Sequence, residues 1–292
     1  MSAIKERNGA LDVLRCFAMF LIVLWHAYHD GDLYRTSAVF DLIFGALIWW
    51  HVDAFLALSG WFGVRFKIDK LLKLWGLIFF YSCVNFVVGR VLLDSPVPFK
   101  VDGGWYGNTY LCLMLVAPFI NAGIEHLVQR GKRTAWLAWA GFAAVIVLNW
   151  AFMGKSYVSF VAWDVHSFTL VQFVFIYLTM RLVRLTGVAD AVRAWHVTAA
   201  ALFYVTVVVL LGGVAYLFLR AEVGLAIHPS NIFMFKTEYV APHVILMAIA
   251  MFFLFLKYLS FPVIVEKVCA FCAPSMFGVY LIHNVQSSCY GA

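Results

Sequence analysis

The stretch LDVLRCFAMFLIVLWH, residues 11–26, indicates the fold class of this chain. It is apolar and belongs to a segment of the length, about 20 residues, that a membrane-spanning helix needs. It nevertheless carries Arg15 near one end and His26 near the other. An ionisable side chain inside a bilayer is costly and usually faces the interior of a helix bundle. The stretch therefore predicts a spanning helix whose polar face is turned towards other parts of the protein.

The same apolar character extends along the whole chain. Of its 292 residues, 64% are hydrophobic and 12% are charged, with a mean hydropathy of +0.91. This composition excludes an ordinary soluble globular domain. We predict an all-α integral membrane protein, a polytopic bundle of about nine transmembrane helices that forms a single domain over residues 1–292. The candidate spans are 10–29, 40–63, 71–92, 105–124, 134–153, 166–186, 195–219, 239–258 and 274–290.

The basic residues predict the orientation of the bundle. When the spans alternate in direction from a cytoplasmic N-terminus, fourteen of the 21 Lys and Arg residues fall on the cytoplasmic side and six on the other. An excess of Lys and Arg in cytoplasmic loops is typical of membrane proteins. The net charge of +6 is therefore explained by orientation, and we expect no nucleic-acid partner. The predicted location is the plasma (inner) membrane.

Arg15 and His26 lie on one face of the first helix. They are eleven residues apart, which corresponds to three turns plus roughly 20° and about 16 Å along the axis. Asp12 precedes Arg15 by three residues and can pair with it. The second span adds His51 and Asp53, and matched helix boundaries predict that Asp53 faces Arg15. His26 is left near the outer surface, where two interpretations stay open: a general base or an ordinary interfacial residue.

Four stretches carry a resemblance to a known family. They are LDVLRCFAMFLIVLWH, HVDAFLALSGWF (residues 51–62), WYGNTYLCLMLVAPFIN (residues 105–121), and the closing pair YVAPHVILMAIAMFFLF with SMFGVYLIH. In this order, over nearly the whole chain, they resemble membrane-bound acyltransferase family 3. Within the family, they resemble in particular the group that O-acetylates cell-surface sugars. Members of this family often have ten helices.

The resemblance implies an enzyme that moves an acyl group, usually acetyl, from cytosolic acyl-CoA to a hydroxyl of a surface or lipid-linked glycan. Acetyl-CoA would be the donor substrate, and no metal is expected. The family's essential first-helix residues correspond to Arg15 and His26, so His26 is expected to deprotonate the acceptor hydroxyl. Asp53 is expected to support the site through Arg15. Arg15 or Ser59 would stabilise the oxyanion that an acyl transfer creates.

Further residues are candidates for binding the two substrates. A cytosolic mouth rich in Lys and Arg would attract anionic coenzyme A, and Lys73 is the preferred candidate because it lies at the start of a helix. Trp105 and Tyr106 are candidates for stacking on sugar rings, and Glu238 is a candidate second acid or base at the outer mouth. Each has a simpler interpretation, as positive-inside bias, interfacial aromatic belt or solvated loop. His283 is assigned to packing.

Several features leave other functions open. Cys269 and Cys272 form a lone C-x-x-C without a second ligand pair, which favours packing over a metal site. The last span begins near Pro274 and ends in a short polar tail, so we expect an incomplete final helix. A proton-coupled transporter or flippase is one alternative, although no internal repeat supports it. An inactive family member that serves as an interaction partner is another.

Overall fold

The computed structural model describes residues 8–29, 43–45, 47–92, 99–152, 170–220 and 239–283, and every regular element in these ranges is helical. The elements are α1 (Gly9–His29), α2 (Trp50–Phe62), α3 (Ile68–Leu92), α4 (Gly104–Arg130), α5 (Lys132–Phe152), α6 (Leu170–Thr186), α7 (Val188–Ala191), α8 (Ala194–Arg220), α9 (Pro242–Phe253, extended by a π turn Leu254–Tyr258), α10 (Val263–Cys272) and α11 (Met276–His283). The predicted all-α class is confirmed.

Six segments within the described ranges are long and apolar enough to cross a membrane. They are Gly9–Tyr28, Ile43–Phe62, Ile68–Val91, Gly104–Arg130, Ala194–Val214 and Val263–His283. Helices that face the outside of the bundle expose large apolar side chains, among them Leu72 of α3, Leu210 of α8 and Phe271 of α10. In water this exposure would be unfavourable, but hydrocarbon is an equally apolar environment. The chain is therefore a polytopic membrane protein.

α2 lies at the centre of the bundle. It packs against α1, α6 and α9, and most of its residues are buried, including the polar His51 and Asp53. The approach to α6 is very close at Gly60, where an added Cβ would lie 2.4 Å from the backbone oxygen of Tyr177. Small residues allow helix backbones to approach each other in membranes. This packing holds the polar residues of α2 inside the protein.

Short linkers and polar contacts define one end of the bundle, which we call the basic end. Here the Asn121 side chain of α4 donates to the Val64 carbonyl after α2, at 3.0 Å. The ammonium of Lys132 donates to the Thr186 carbonyl at 2.7 Å, which joins α5 to α6. Two helices also begin at this end, α1 at Gly9 and α10 at Val263. The opposite end, which contains His26 and His283, is called the histidine end.

The final helix begins earlier than the sequence predicts. The predicted span was 274–290, but the apolar helical segment runs over Val263–His283 and contains a 3₁₀ turn at Ala273–Ser275. Pro262 precedes the helix, at a place where its missing N–H costs nothing. The carboxylate of Glu266, in the first turn of α10, lies against Gly9 at the start of α1. The positive end of a helix dipole favours such a charge. Residues 284–290 lie outside the described residues.

Asp102 fixes the start of α4 at the histidine end. Its carboxylate accepts hydrogen bonds from the Gly104 backbone N–H and the Asn108 side chain, both at 2.9 Å, and pairs with Lys100 at 2.7 Å. Partial burial acts to raise the pKa of Asp102, but the hydrogen bonds from Lys100 and Asn108 outweigh it and hold the pKa below its ordinary value. The ionised carboxylate is therefore the form that stabilises this helix start.

We expect Asp102→Ala to destabilise the protein by about 1 kcal/mol, the usual cost of losing a helix-start carboxylate. The folded-state pKa lies below the unfolded value, so this stabilisation is present above the unfolded pKa and is lost as pH falls through the folded one. Thermal unfolding of the detergent-solubilised protein should separate the variant from the wild type at pH 7. The difference should shrink below about pH 4. Equal stability at pH 7 would contradict this role.

Candidate active site

A cavity of about 520 Å³ opens between α1, α2, α3, α4 and the final helices. Towards the basic end its lining includes Arg15, Arg65 and Lys70. Towards the histidine end the lining includes Ile22, Val52, Tyr106 and Tyr280. The cavity is thus cationic at one end and apolar or aromatic at the other. Such a shape suits a ligand with an anionic head and a thin, mostly uncharged arm.

Arg15 forms one wall of the cavity. Its guanidinium makes an ion pair with Asp12, whose side chain is fully buried, and lies over the Phe62 ring at 5.4 Å from the ring centroid. The pairing of Asp12 with Arg15 predicted from their spacing is confirmed. A buried carboxylate fixes the position of the cation, while 28% of the Arg15 side chain stays exposed. Arg15 is therefore held in place and still accessible from the cavity.

Two hydroxyl groups lie on the same cavity wall. The Ser59 hydroxyl donates to the Phe55 carbonyl at 2.9 Å and lies 3.2 Å from the Tyr110 hydroxyl. Both residues line the cavity. Because Ser59 uses its proton on the backbone, the Tyr110 hydroxyl is the donor to Ser59. These groups supply neutral polar contacts at mid-depth, between the cations and the aromatic end.

The predicted pair between Arg15 and Asp53 is wrong. Asp53 is fully buried and accepts a 3.0 Å hydrogen bond from the Gln172 side chain of α6, while Arg15 pairs with Asp12. The depth estimate assumed that α2 starts its span near residue 41. In the structure Val52 lies in one apolar cluster with Met19 and Ile22 of α1. Asp53 is therefore about three to six residues, or roughly 5–9 Å, from the level of Arg15.

A cluster of imidazole and aromatic rings lies at the histidine end. The rings of His26 and His283 are 4.7 Å apart between centroids, and Tyr280 lies 5.2 Å from His283. His51 is buried and stacks on Tyr239, with 6.0 Å between the ring centroids. The assignment of His283 to packing therefore misses its place beside His26. The sequence signal was present in SMFGVYLIH, which places Tyr280 and His283 one helical turn apart.

Tyr280 connects the histidine cluster to the cavity. Its ring lines the apolar end of the cavity and packs against Tyr106 at 5.7 Å, and its hydroxyl accepts the Tyr106 backbone N–H at 3.4 Å. Only two ring contacts, Tyr280 to His283 and His283 to His26, therefore separate the cavity from His26. A reactive group held at this end of the cavity would be close to an imidazole that can accept a proton.

Comparison with known proteins identifies the family of the chain. The family model described as an acyltransferase domain, of acyltransferase family 3, matches residues 8–286. The chain belongs to this acyltransferase family. No curated protein and no solved structure shows a significant match to the chain. The match includes all helices of the described residues, so the cavity and the histidine cluster both lie inside the acyltransferase domain. The protein is therefore a membrane acyltransferase.

The acyltransferase cavity contains some of the predicted substrate-binding residues. Ser59 and Tyr106 line it, whereas Lys73 is exposed on α3 and does not, and Lys70 takes that position one turn earlier. Trp105 lies outside the cavity in the aromatic cluster, 5.8 Å from Tyr239. Glu238 lies outside the described residues. Among the described residues, no group of three His, Cys, Asp or Glu side chains could hold a metal ion.

Proposed function

We propose that this membrane acyltransferase moves an acetyl group from acetyl-CoA to a hydroxyl of a cell-surface or lipid-linked glycan. The observation that carries the proposal is the cavity that leads from Arg15, Arg65 and Lys70 to the rings beside His26 and His283. Coenzyme A has phosphates at one end and a reactive thiol at the end of an uncharged arm. In this orientation the phosphates contact the cations and the thioester points towards the histidines.

The bundle is proposed to sit in the plasma membrane with its basic end in the cytoplasm. Fourteen of the 21 Lys and Arg residues belong to that side when the N-terminus is cytoplasmic, as expected from the charge bias of membrane proteins. Acetyl-CoA is a cytosolic compound, so this orientation brings the donor to the cationic mouth. The acceptor glycan then approaches from the histidine end, and the acyl group crosses most of the bilayer inside the cavity.

His26 is proposed as the general base. Its neutral imidazole takes the proton of the acceptor hydroxyl while the hydroxyl oxygen forms a bond to the thioester carbonyl carbon. The tetrahedral intermediate then collapses, the carbon–sulfur bond breaks, and the thiolate takes the proton from the imidazolium. Coenzyme A leaves as the free thiol and His26 returns to its neutral form. His283, in ring contact with His26, is proposed to hold it in the required orientation.

Arg15 is proposed to bind the donor and not the oxyanion. Eleven residues separate it from His26, which is about 16 Å along α1. A carbonyl beside His26 is therefore out of its reach. The fixed guanidinium of Arg15 suits a phosphate or a polar group of the donor arm. Asp53, through Gln172, is proposed to fix α2 against α6 beneath the reacting groups. Trp105 and Glu238 remain proposals for the glycan side.

The test uses sealed inverted membrane vesicles, which expose the cytoplasmic face, supplied with acetyl-CoA labelled in the acetyl group. We expect label to enter glycans in vesicles that contain the chain, and not in vesicles without it. Right-side-out vesicles should incorporate label only after permeabilisation. Absence of transfer from acetyl-CoA in both preparations would contradict the proposal. Proton-coupled flux of a solute without transfer would instead favour the transporter alternative.

A further inference from the structure

The linker between α2 and α3 is held by a closed set of three hydrogen bonds. The Val64 backbone N–H donates to the Tyr177 hydroxyl at 3.0 Å, and the Val64 carbonyl accepts from the Asn121 side chain at 3.0 Å. The Tyr177 hydroxyl in turn donates to the Asn121 side-chain oxygen at 2.8 Å. Both polar backbone groups of Val64 are therefore satisfied by two side chains that also bond to each other. We call this set the Val64 clamp.

One face of α6 supports the clamp. Tyr177, Arg181 and Arg184 are spaced i, i+4 and i+7, so they project from the same side of the helix. The Arg184 guanidinium donates to the Trp61 carbonyl and lies over the Trp61 ring, 5.3 Å from its centroid. Arg181 pairs with Glu125 of α4 at 3.2 Å, and its guanidinium lies against Gly63. Gly63 has φ +76°, a left-handed conformation that an L side chain would strain. The path of the chain from Trp61 to Val64 is thus fixed.

The clamped linker supplies part of the cavity mouth. Gly63, Val64 and Arg65 line the cavity, and Lys70 lines it from the first turn of α3. Lys67, between them, accepts the first backbone hydrogen bonds of α3 from Lys70 and Leu71 through its carbonyl. The position of Val64 therefore sets where the guanidinium of Arg65 and the ammonium of Lys70 can lie. Tyr177 itself is fully buried and does not line the cavity.

We propose that Tyr177 and Asn121 are positioning residues for the donor. They hold Val64, and through it the cations Arg65 and Lys70, at the spacing that the phosphates of coenzyme A require. This inference rests on the proposed function, because it takes coenzyme A as the ligand of the mouth. Tyr177 acts only through the linker and makes no contact with the reacting atoms. Its loss should weaken donor binding and leave the chemical step at the histidine end nearly unchanged.

The experiment compares Tyr177→Phe with the wild type in detergent-solubilised, full-length protein. Direct binding of coenzyme A and the KM for acetyl-CoA are both measured, together with kcat. Loss of the hydroxyl should weaken coenzyme A binding and raise KM about three- to tenfold. A change of this size is usual when one hydrogen bond is lost. kcat should stay within about twofold, since a change in ground-state binding alone appears in KM. Asn121→Ala should have a similar effect, and the double variant should be less than additive.

Tyr258→Phe is the matched control. Its hydroxyl also bonds a backbone group near the basic end, donating to the Val192 carbonyl at 2.8 Å, but Val192 does not line the cavity, whereas Val64 does. Coenzyme A binding should be unchanged in this variant. Equal binding and KM in Tyr177→Phe and the wild type would overturn the inference alone, as would equal losses in Tyr177→Phe and Tyr258→Phe. If wild-type protein binds no coenzyme A, the proposed function fails and this inference fails with it.

Discussion

Replacing His26 with alanine is expected to lower the rate of acetyl transfer at least about a hundredfold, the smaller end of what a general base contributes. The His26 ring lies 4.7 Å from the His283 ring, and His283 in turn contacts Tyr280 at the end of the cavity. The substitution removes a partly exposed side chain, not a fully buried one, so the folded protein should accumulate normally. The measurement is the initial rate of label transfer from acetyl-CoA in inverted vesicles, normalised to the amount of protein.

His126→Ala is the control for the loss of a histidine. His126 is exposed near the basic end of α4 and lies outside the cavity. Its rate should match that of the wild type. The kinetics should also separate donor binding from the chemical step. In His26→Ala the KM for acetyl-CoA should stay nearly constant while kcat falls. A His26→Ala rate within about threefold of the wild type would remove His26 as the base, although the family assignment would stand.

Local spacing predicted the contacts within one helix. The i, i+3 pair of Asp12 and Arg15 forms as expected, because helix geometry alone brings such side chains together. The apolar spans were also predicted from local features, since length and hydropathy alone identify a segment that can cross a bilayer. The partner of Asp53 was predicted wrongly. Whether Asp53 meets Arg15 or Gln172 depends on the position of α2 along the axis of α1, and a periodic apolar pattern does not determine that position.

The site itself joins residues that are distant in the chain. His26 meets His283, 257 residues away, and Val64 meets Tyr177 and Asn121 from two other helices. Hydropathy gives a helix no preferred neighbour in lipid, where association depends on packing and polar contacts. The sequence therefore predicted a polar face on α1 without its counterpart. The same limit applies to the mouth of the cavity. Whether Lys70 or Lys73 lines it depends on how α3 is rotated about its own axis, and the structure places Lys70 there.

Replacing Gly60 with alanine is expected to destabilise the protein by at least about 2 kcal/mol, in the range of an overpacked core. An added Cβ at this position would lie 2.4 Å from the Tyr177 backbone oxygen and 2.9 Å from the Met180 Cβ. Neither neighbour is the end of a flexible side chain, so α2 and α6 must separate. For a protein of this size the loss corresponds to a fall of roughly 4–8 °C in the unfolding temperature, measured on the solubilised protein.

Gly76→Ala provides a control that separates packing from helix propensity. Gly76 is an exposed position inside α3, and an added Cβ there would meet no atom within 4 Å. Alanine is a better helix former than glycine by about 1 kcal/mol, so Gly76→Ala should be neutral or stabilising. The same propensity gain acts at Gly60, and a net loss there must therefore come from the α2–α6 contact. Equal stability of both variants would mean that this contact tolerates a methyl group.

The α2–α6 contact at Gly60 is flanked by Ser59 and Tyr177. Separation of the two helices should therefore also impair acetyl transfer, by moving the cavity wall and the Val64 clamp together.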